Sequence, residues 1–218
     1  MNQSNLPHHR IDFELSGIKI RPMAAGDWDA ACELIGLAFA DNPNTLAVAG
    51  GNQVRAQQMT QAAVRVAKLG RKYSYVLIAE DAGRLVGVLN GVDWPHCQMR
   101  AAEKLKTVMA VLPAMGLALA RQLKISNAWA KRDPREPHWH LGPIAVHPEF
   151  QGRGIGKLLL ASFLAMADEQ ALPAYLETDV DRNVTLYEKF GFKVVAREPL
   201  MGIDNRFMWR AAQPSFRK

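Results

Sequence analysis

From Leu141 to Leu160 the chain reads Leu-Gly-Pro-Ile-Ala-Val-His-Pro-Glu-Phe-Gln-Gly-Arg-Gly-Ile-Gly-Lys-Leu-Leu-Leu. An apolar, β-prone run enters a short loop, glycines follow at 152, 154 and 156, and an apolar helical run begins. The first turn of a helix presents backbone N–H groups without intrahelical partners and a partial positive charge. Glycines at that point let an anion approach the backbone closely. Arg153 and Lys157 add positive charge beside them. The chemistry this spacing serves is the binding of a phosphate or pyrophosphate.

The kind of phosphate ligand follows from what the spacing is not. A P-loop ends in Gly-Lys-Ser/Thr so that a hydroxyl can hold magnesium, and here Gly156-Lys157 runs into Leu158. A dinucleotide fingerprint has its third glycine one residue later than Gly156. Gln151-Gly152-Arg153-Gly154-Ile155-Gly156 instead fits Gln/Arg-x-x-Gly-x-Gly/Ala, with Ile144-Ala145-Val146-His147-Pro148 before it. Downstream, Asn183 and Tyr187 stand four apart, on one helical face, and Lys189-Phe190-Gly191-Phe192 follows. Over residues 138–196 this text resembles the GNAT superfamily of acetyl-CoA-dependent N-acetyltransferases.

The resemblance implies a mechanism and a set of residues. The central strand would part from its neighbour, and the pantetheine arm of acetyl-CoA, a co-substrate, would lie in the gap. Main-chain groups of Ile144, Ala145 and Val146 would bond pantetheine and polarise the thioester carbonyl. The segment Gln151, Gly152, Arg153, Gly154, Ile155, Gly156 and Lys157 would hold the pyrophosphate, and Asn183 would help set the cofactor or helix geometry. Tyr187 would protonate the departing thiolate as general acid. Pro143 departs from a regular strand because it donates no N–H, so a bulge is expected at Gly142-Pro143.

A partner for the acceptor amine is less plainly written. His140, Glu177 and Asp179 are the candidates to bind the substrate or take its proton. His138 and His140 fall on one side of a strand, but no third ligand is evident near them, so no metal is expected. Cys32 and Cys97 read as free, small apolar residues rather than a disulfide framework.

These residues need a scaffold, and the rest of the chain supplies a pattern for one. The 218 residues, 49% hydrophobic and 22% charged, suit a globular domain with a real core. Ile18 to Arg21 reads as a strand ended by Pro22, and Asp27 as the cap of a helix over Trp28–Ala40. Residues 41–52 read as a loop. Asn52 caps a helix stopped by Gly70, and 73–80 and 85–90 form a hairpin. Residues 99–131 are helical and interrupted at Pro113, as two short helices or one kinked helix. Then come a strand at 138–146, a helix at 154–170, a strand at 174–178, a helix at 183–190, and strands at 192–196 and 206–209. The fold class is mixed α/β: a GNAT-like central sheet of about six or seven strands flanked by helices, with a helical insertion at about 95–137 between the third and fourth strands. One domain is expected over 17–212, behind an arm at 1–16.

The net charge of +6 is scattered, without a basic, aromatic-interleaved face, so no nucleic-acid partner is expected. The longest apolar run, Thr107 to Ala120, is too short to span a bilayer, so no stable membrane association is expected and the location reads as cytoplasmic. That run leaves a homodimer open. The leading reading is acetyl transfer to a primary amine of a small molecule. A non-catalytic acyl-CoA sensor, or an enzyme acting on protein N-termini or lysines, are the alternatives.

Overall fold

The structure, a computed structural model, describes residues 17–67 and 72–213. The expected arm at 1–16 and the helix stop at Gly70 lie outside the described residues. Seven strands form one sheet: β1 (Ile18–Pro22), β2 (Ser74–Asp81), β3 (Arg84–Asp93), β4 (Trp139–Val146), β5 (Ala174–Thr178), β6 (Lys193–Leu200) and β7 (Ile203–Arg210). Their order is β1-β2-β3-β4-β5-β7-β6. Every neighbouring pair is antiparallel except β4 and β5, the parallel pair at the centre. The helices are α1 (Trp28–Ala38), α2 (Pro43–Ala49), α3 (Gln53–Ala67), α4 (Ala101–Met115), α5 (Ala118–Arg132), α6 (Ile155–Glu169) and α7 (Asp181–Glu188).

One sheet face is covered by α6, whose Ile155, Leu159, Leu160 and Phe163 meet Leu77, Leu89, Trp139, Leu141 and Leu176 in the largest core. On the opposite face Ala31, Leu34 and Ile35 of α1 pack with Val76, Ile78, Val88 and Ala145. Buried Cys32 belongs to this second core, as a small apolar residue should. A third core is almost wholly helical and joins α2, α3, α4 and α5 through Val48, Met59, Val111, Met115 and Ile125, with Leu200 of β6.

The position of α6 matters most, because its first turn is the glycine loop. It lies so close to β3 that a Cβ placed on Gly91 would come within 2.3 Å of Phe163 Cζ. The ring of Phe163 is fully buried and cannot swing out. Gly91→Ala is therefore expected to overpack this contact and to destabilise by about 1–3 kcal/mol. Urea unfolding with an unchanged m-value checks it; a midpoint equal to wild type would mean that α6 does not sit this close.

Three local readings differ from the structure. Asp27 precedes α1, but its side chain turns back to accept the Ala24 N–H at 2.7 Å and the Arg21 guanidinium at 2.7 and 2.9 Å, so it fixes the turn before the helix. The stretch expected as a loop at 41–52 holds α2. Asn42 Oδ1 accepts the Thr45 N–H at 3.0 Å, and Pro43 occupies the first helical position, where its missing N–H costs nothing. Two helices, α4 and α5, do occupy 101–132, but the break falls at Gly116 rather than at Pro113, which lies inside α4. The carbonyl left without a helical donor by Pro113 is that of Met109, a residue on the exposed side of the helix. Met109 is thus not part of a core, and it shares an exposed apolar stripe with Leu105 and Leu112. Among the described residues no helix is long and apolar enough to cross a membrane.

Candidate functional site

The parallel pair β4 and β5 is joined only where Trp139 faces Ala174 and His140 faces Tyr175. Beyond that point both strands continue, to Val146 and Thr178, without pairing. The expected bulge lies where they part: β4 slips by one residue against β3 between Leu89 and Gly91, and the Asn90 side chain donates to the Gly142 carbonyl at 3.1 Å. The His147 N–H donates to the Val86 carbonyl at 2.9 Å, which fixes the alternation beyond the bulge. Ala145 and His147 turn their main-chain groups to β3, and Ile144 and Val146 turn theirs into the gap. The Val146 carbonyl accepts Gln151 Nε2 at 3.2 Å.

At the mouth of the gap lies the glycine loop. Gly154 caps α6 with φ +86°, and Gly152 has φ +79°, both left-handed conformations in which a side chain is strained. The first intrahelical bond is Leu158 N–H to Gly154 C=O at 3.0 Å, so the N–H groups of Ile155, Gly156 and Lys157 have no intrahelical partner. A Cβ on Gly152 would meet nothing within 4 Å, and no acidic residue stands in the first turn of α6. Arg153 lies over the Phe150 ring at 4.7 Å from its centroid, and neither Arg153 nor Lys157 forms an ion pair among the described residues. Open backbone donors and two uncommitted cations fit the pyrophosphate of acetyl-CoA.

Tyr187 is the buried residue of α7 and belongs to the core under α6. Its ring packs on Phe192 at 5.8 Å, and its hydroxyl hydrogen-bonds no protein group among the described residues. Burial first, and the negative charge of Asp179 second, push its pKa above the ordinary tyrosine value. It therefore holds its proton through neutral pH. Asn183, one turn earlier, is half-buried.

The three acceptor-side candidates separate sharply. Asp179 is committed to the fold: one oxygen accepts Asn42 Nδ2 at 2.8 Å and the other the Asn44 N–H at 2.7 Å, which ties the start of α2 to the end of β5. His140 has both ring nitrogens engaged by carboxylates, Nδ1 with Asp133 and Nε2 with Glu177, each at 3.0 Å. Burial opposes a charge on this ring, but Glu177 and Asp133 hold its pKa well above that of free imidazole. A base needs a free lone pair, which His140 does not offer. Glu177 is different: its Oε2 meets His140, while its Oε1 is buried beside the Tyr175 hydroxyl, the group it interacts with among the described residues.

His140 belongs to a cluster that the sequence does not reveal. His138 Nε2 lies 3.3 Å from Asp133 Oδ1, and its Nδ1 lies 2.7 Å from the Glu136 carbonyl. Burial lowers the His138 pKa, and hydrogen bonds to Asp133, Cys97 and Glu136 outweigh it, pushing the ring up to about 9. Cys97 Sγ lies 3.5 Å from Asp133 Oδ2 and 3.9 Å from His138 Nε2. Its sequence neighbour His96 turns the other way, onto the ring of Tyr73. The expectation that His138 and His140 lack a third partner of ligand type is thus overturned, by residues from either side of the α4–α5 pair.

With this geometry in view, comparisons with known proteins agree. The model of the "Acetyltransferase (GNAT) family" matches residues 47–192. A mycothiol acetyltransferase of Paenarthrobacter aurescens is 38% identical over 71 residues, covering 29% of this chain and 22% of the relative. A mycothiol acetyltransferase of Propionibacterium freudenreichii is 30% identical over 131 residues, 55% of this chain and 42% of the relative. The chain thus spans less than half the length of these curated relatives. Among solved structures, a Corynebacterium glutamicum protein described as histone acetyltransferase HPA2 and related acetyltransferase superposes with TM-score 0.67 at 22% identity, covering 92% of this chain and 99% of that one. The candidate acetyltransferase yncA of Salmonella typhimurium, solved with its cofactor acetyl-CoA, superposes with TM-score 0.55 at 18% identity, covering 91% of this chain and 95% of that one.

Proposed function

The chain belongs to the GNAT acetyltransferase family, and from that premise we propose that it moves an acetyl group from acetyl-CoA to a primary amine of a small molecule. The observation that carries this reading is the fork between β4 and β5, which opens beyond His140 and Tyr175 next to the glycine loop at the start of α6. Acetyl-CoA supplies a thioester carbonyl, which a neutral amine can attack with cleavage of the C–S bond. The N–H groups of Ile155, Gly156 and Lys157, with Arg153 and Lys157, hold the pyrophosphate. Main-chain groups of Ile144 and Val146 bond the arm in the gap, and an N–H turned there stabilises negative charge on the carbonyl oxygen. Glu177 Oε1 accepts a hydrogen bond from the amine and takes the proton it sheds, and Tyr187 gives its proton to the leaving thiolate.

The relatives named mycothiol acetyltransferases support a small-molecule acceptor over a protein one. Turnover with a panel of small primary amines and of peptides with free N-termini tests the reading. Faster turnover of the small amines is expected, and turnover confined to the peptides would move the acceptor to proteins. Glu177→Gln keeps the shape of the side chain but loses the charge. Losing a charged hydrogen bond of about 1.5–3 kcal/mol should lower kcat/KM for the amine roughly 10–100-fold. The KM for acetyl-CoA should stay unchanged. An unaltered kcat/KM would remove Glu177 from the acceptor site.

A further inference from the structure

We propose that Cys97, Asp133, His138 and His140 form a closed, four-ligand zinc site that fastens the ends of the α4–α5 segment to the central strand β4. One ligand atom from each of the four lies within 4.8 Å of every other. With Zn–N of ~2.0–2.1 Å and Zn–S of ~2.3 Å, a tetrahedral ion needs ligand atoms roughly 3.3–3.6 Å apart. The separations here are 3.0 Å for His140 Nδ1 to Asp133 Oδ1 and 3.3 Å for His138 Nε2 to Asp133 Oδ1. They are 3.5 Å for Cys97 Sγ to Asp133 Oδ2 and 3.9 Å for Cys97 Sγ to His138 Nε2.

The shell around them is the second, independent observation. A metal-bound histidine donates its other ring N–H to a carbonyl or carboxylate, which fixes the tautomer and directs the free lone pair to the ion. Both histidines are arranged in this way, with opposite nitrogens. His138 Nδ1 is held by the Glu136 carbonyl at 2.7 Å, leaving Nε2 for the ion. His140 Nε2 is held by Glu177 at 3.0 Å, leaving Nδ1. The charges also match: a thiolate and a carboxylate among the four ligands neutralise a divalent ion. His138 and Asp133 are buried, which excludes water from the position between them. Four protein ligands leave no open coordination position, so the ion is structural rather than catalytic.

Its place gives it a task. Cys97 follows β3 and Asp133 ends α5, so the ion joins the two ends of the segment that carries α4 and α5. It fastens them at His138 and His140, the last point before β4 and β5 part. Metal binding is measurable without acetyl-CoA, and the site stands or falls apart from the acetyl-transfer reading.

The test is titration of the chelator-treated, full-length chain with Co(II), followed by Zn(II). One equivalent of Co(II) should produce the intense visible bands of a tetrahedral ion and a thiolate-to-cobalt charge-transfer band, and Zn(II) should erase both. Cys97→Ser should abolish the charge-transfer band, whereas Cys32→Ala should leave it intact. Cys97→Ser should also weaken zinc by more than the roughly 10–100-fold that the loss of an outer partner costs. If that variant does not fold, wild type still decides: zinc should raise the melting temperature of the stripped protein. A folded wild type with no cobalt spectrum and no zinc-dependent shift would overturn the site and leave a hydrogen-bonded cluster only. A charge-transfer band that survives in Cys97→Ser would overturn it equally.

Discussion

Gly154→Glu is expected to weaken acetyl-CoA binding by about 10²–10⁴-fold while leaving the chain folded. Gly154 caps α6 with φ +86°, directly before the N–H groups of Ile155, Gly156 and Lys157. Each charge-assisted bond from such a donor to a phosphate oxygen is worth about 1.5–3 kcal/mol. Losing two of them costs roughly 3–6 kcal/mol, and each 1.4 kcal/mol is about tenfold in affinity. The new carboxylate also repels the pyrophosphate from the same position. Against this, a side chain forced into the left-handed region costs about 1–2 kcal/mol of stability, which a domain of this size survives. Gly154→Ala separates the two effects, since it carries the strain without the charge and should bind within about tenfold of wild type. Calorimetric titration with acetyl-CoA reads both variants. Equal binding by wild type and Gly154→Glu would make the loop a structural turn and would take the pyrophosphate site out of α6.

The glycine loop was legible because everything it needs is contiguous. Three glycines, two cations and an apolar helix within 20 residues specify a helix N-terminus open to an anion, with no reference to distant residues. The bulge at Gly142-Pro143 was legible for the same reason, since a proline inside a strand has few other places to be. The hairpin, the seven strands of a mixed sheet and the limits of β5 follow from local alternation and turn residues. What escaped the sequence depends on which of two meanings a residue takes, or on long-range pairing. Asn42-Pro43 can end one helix or begin another, and the choice of α2 is decided by Asp179, more than 130 residues away, which accepts the Asn42 amide and the Asn44 N–H. Cys97, Asp133 and the two histidines meet only because α4 and α5 run out and back between them. The same long-range pairing sorts the acceptor-side carboxylates, committing both oxygens of Asp179 to α2 and setting Glu177 between His140 and Tyr175.

Tyr187→Phe is expected to lower kcat about 10²-fold with little change in the affinity for acetyl-CoA. General acid catalysis contributes roughly 10²–10⁴-fold, and the departing thiol, with a pKa of about 8.5, is a fair leaving group that needs less help than an amine or alcohol. The effect therefore falls at the lower end of that range. The substitution removes one oxygen and keeps the ring on Phe192, and the hydroxyl bonds no protein group, so the core should tolerate it. The pH dependence follows from the direction of the shift. Burial and the charge of Asp179 raise the pKa of Tyr187 above its ordinary 10.0, so the acid form that donates the proton persists up to that pH and is lost only beyond it. Wild-type kcat should consequently show no alkaline decline between pH 7 and 9 that Tyr187→Phe removes. The stability sign agrees: the neutral form is favoured in the folded state, so ionisation of Tyr187 destabilises the fold only above the unfolded value. A variant with undiminished kcat would show that the thiolate leaves unaided, and Tyr187 would then be a packing residue of α7 against Phe192 alone.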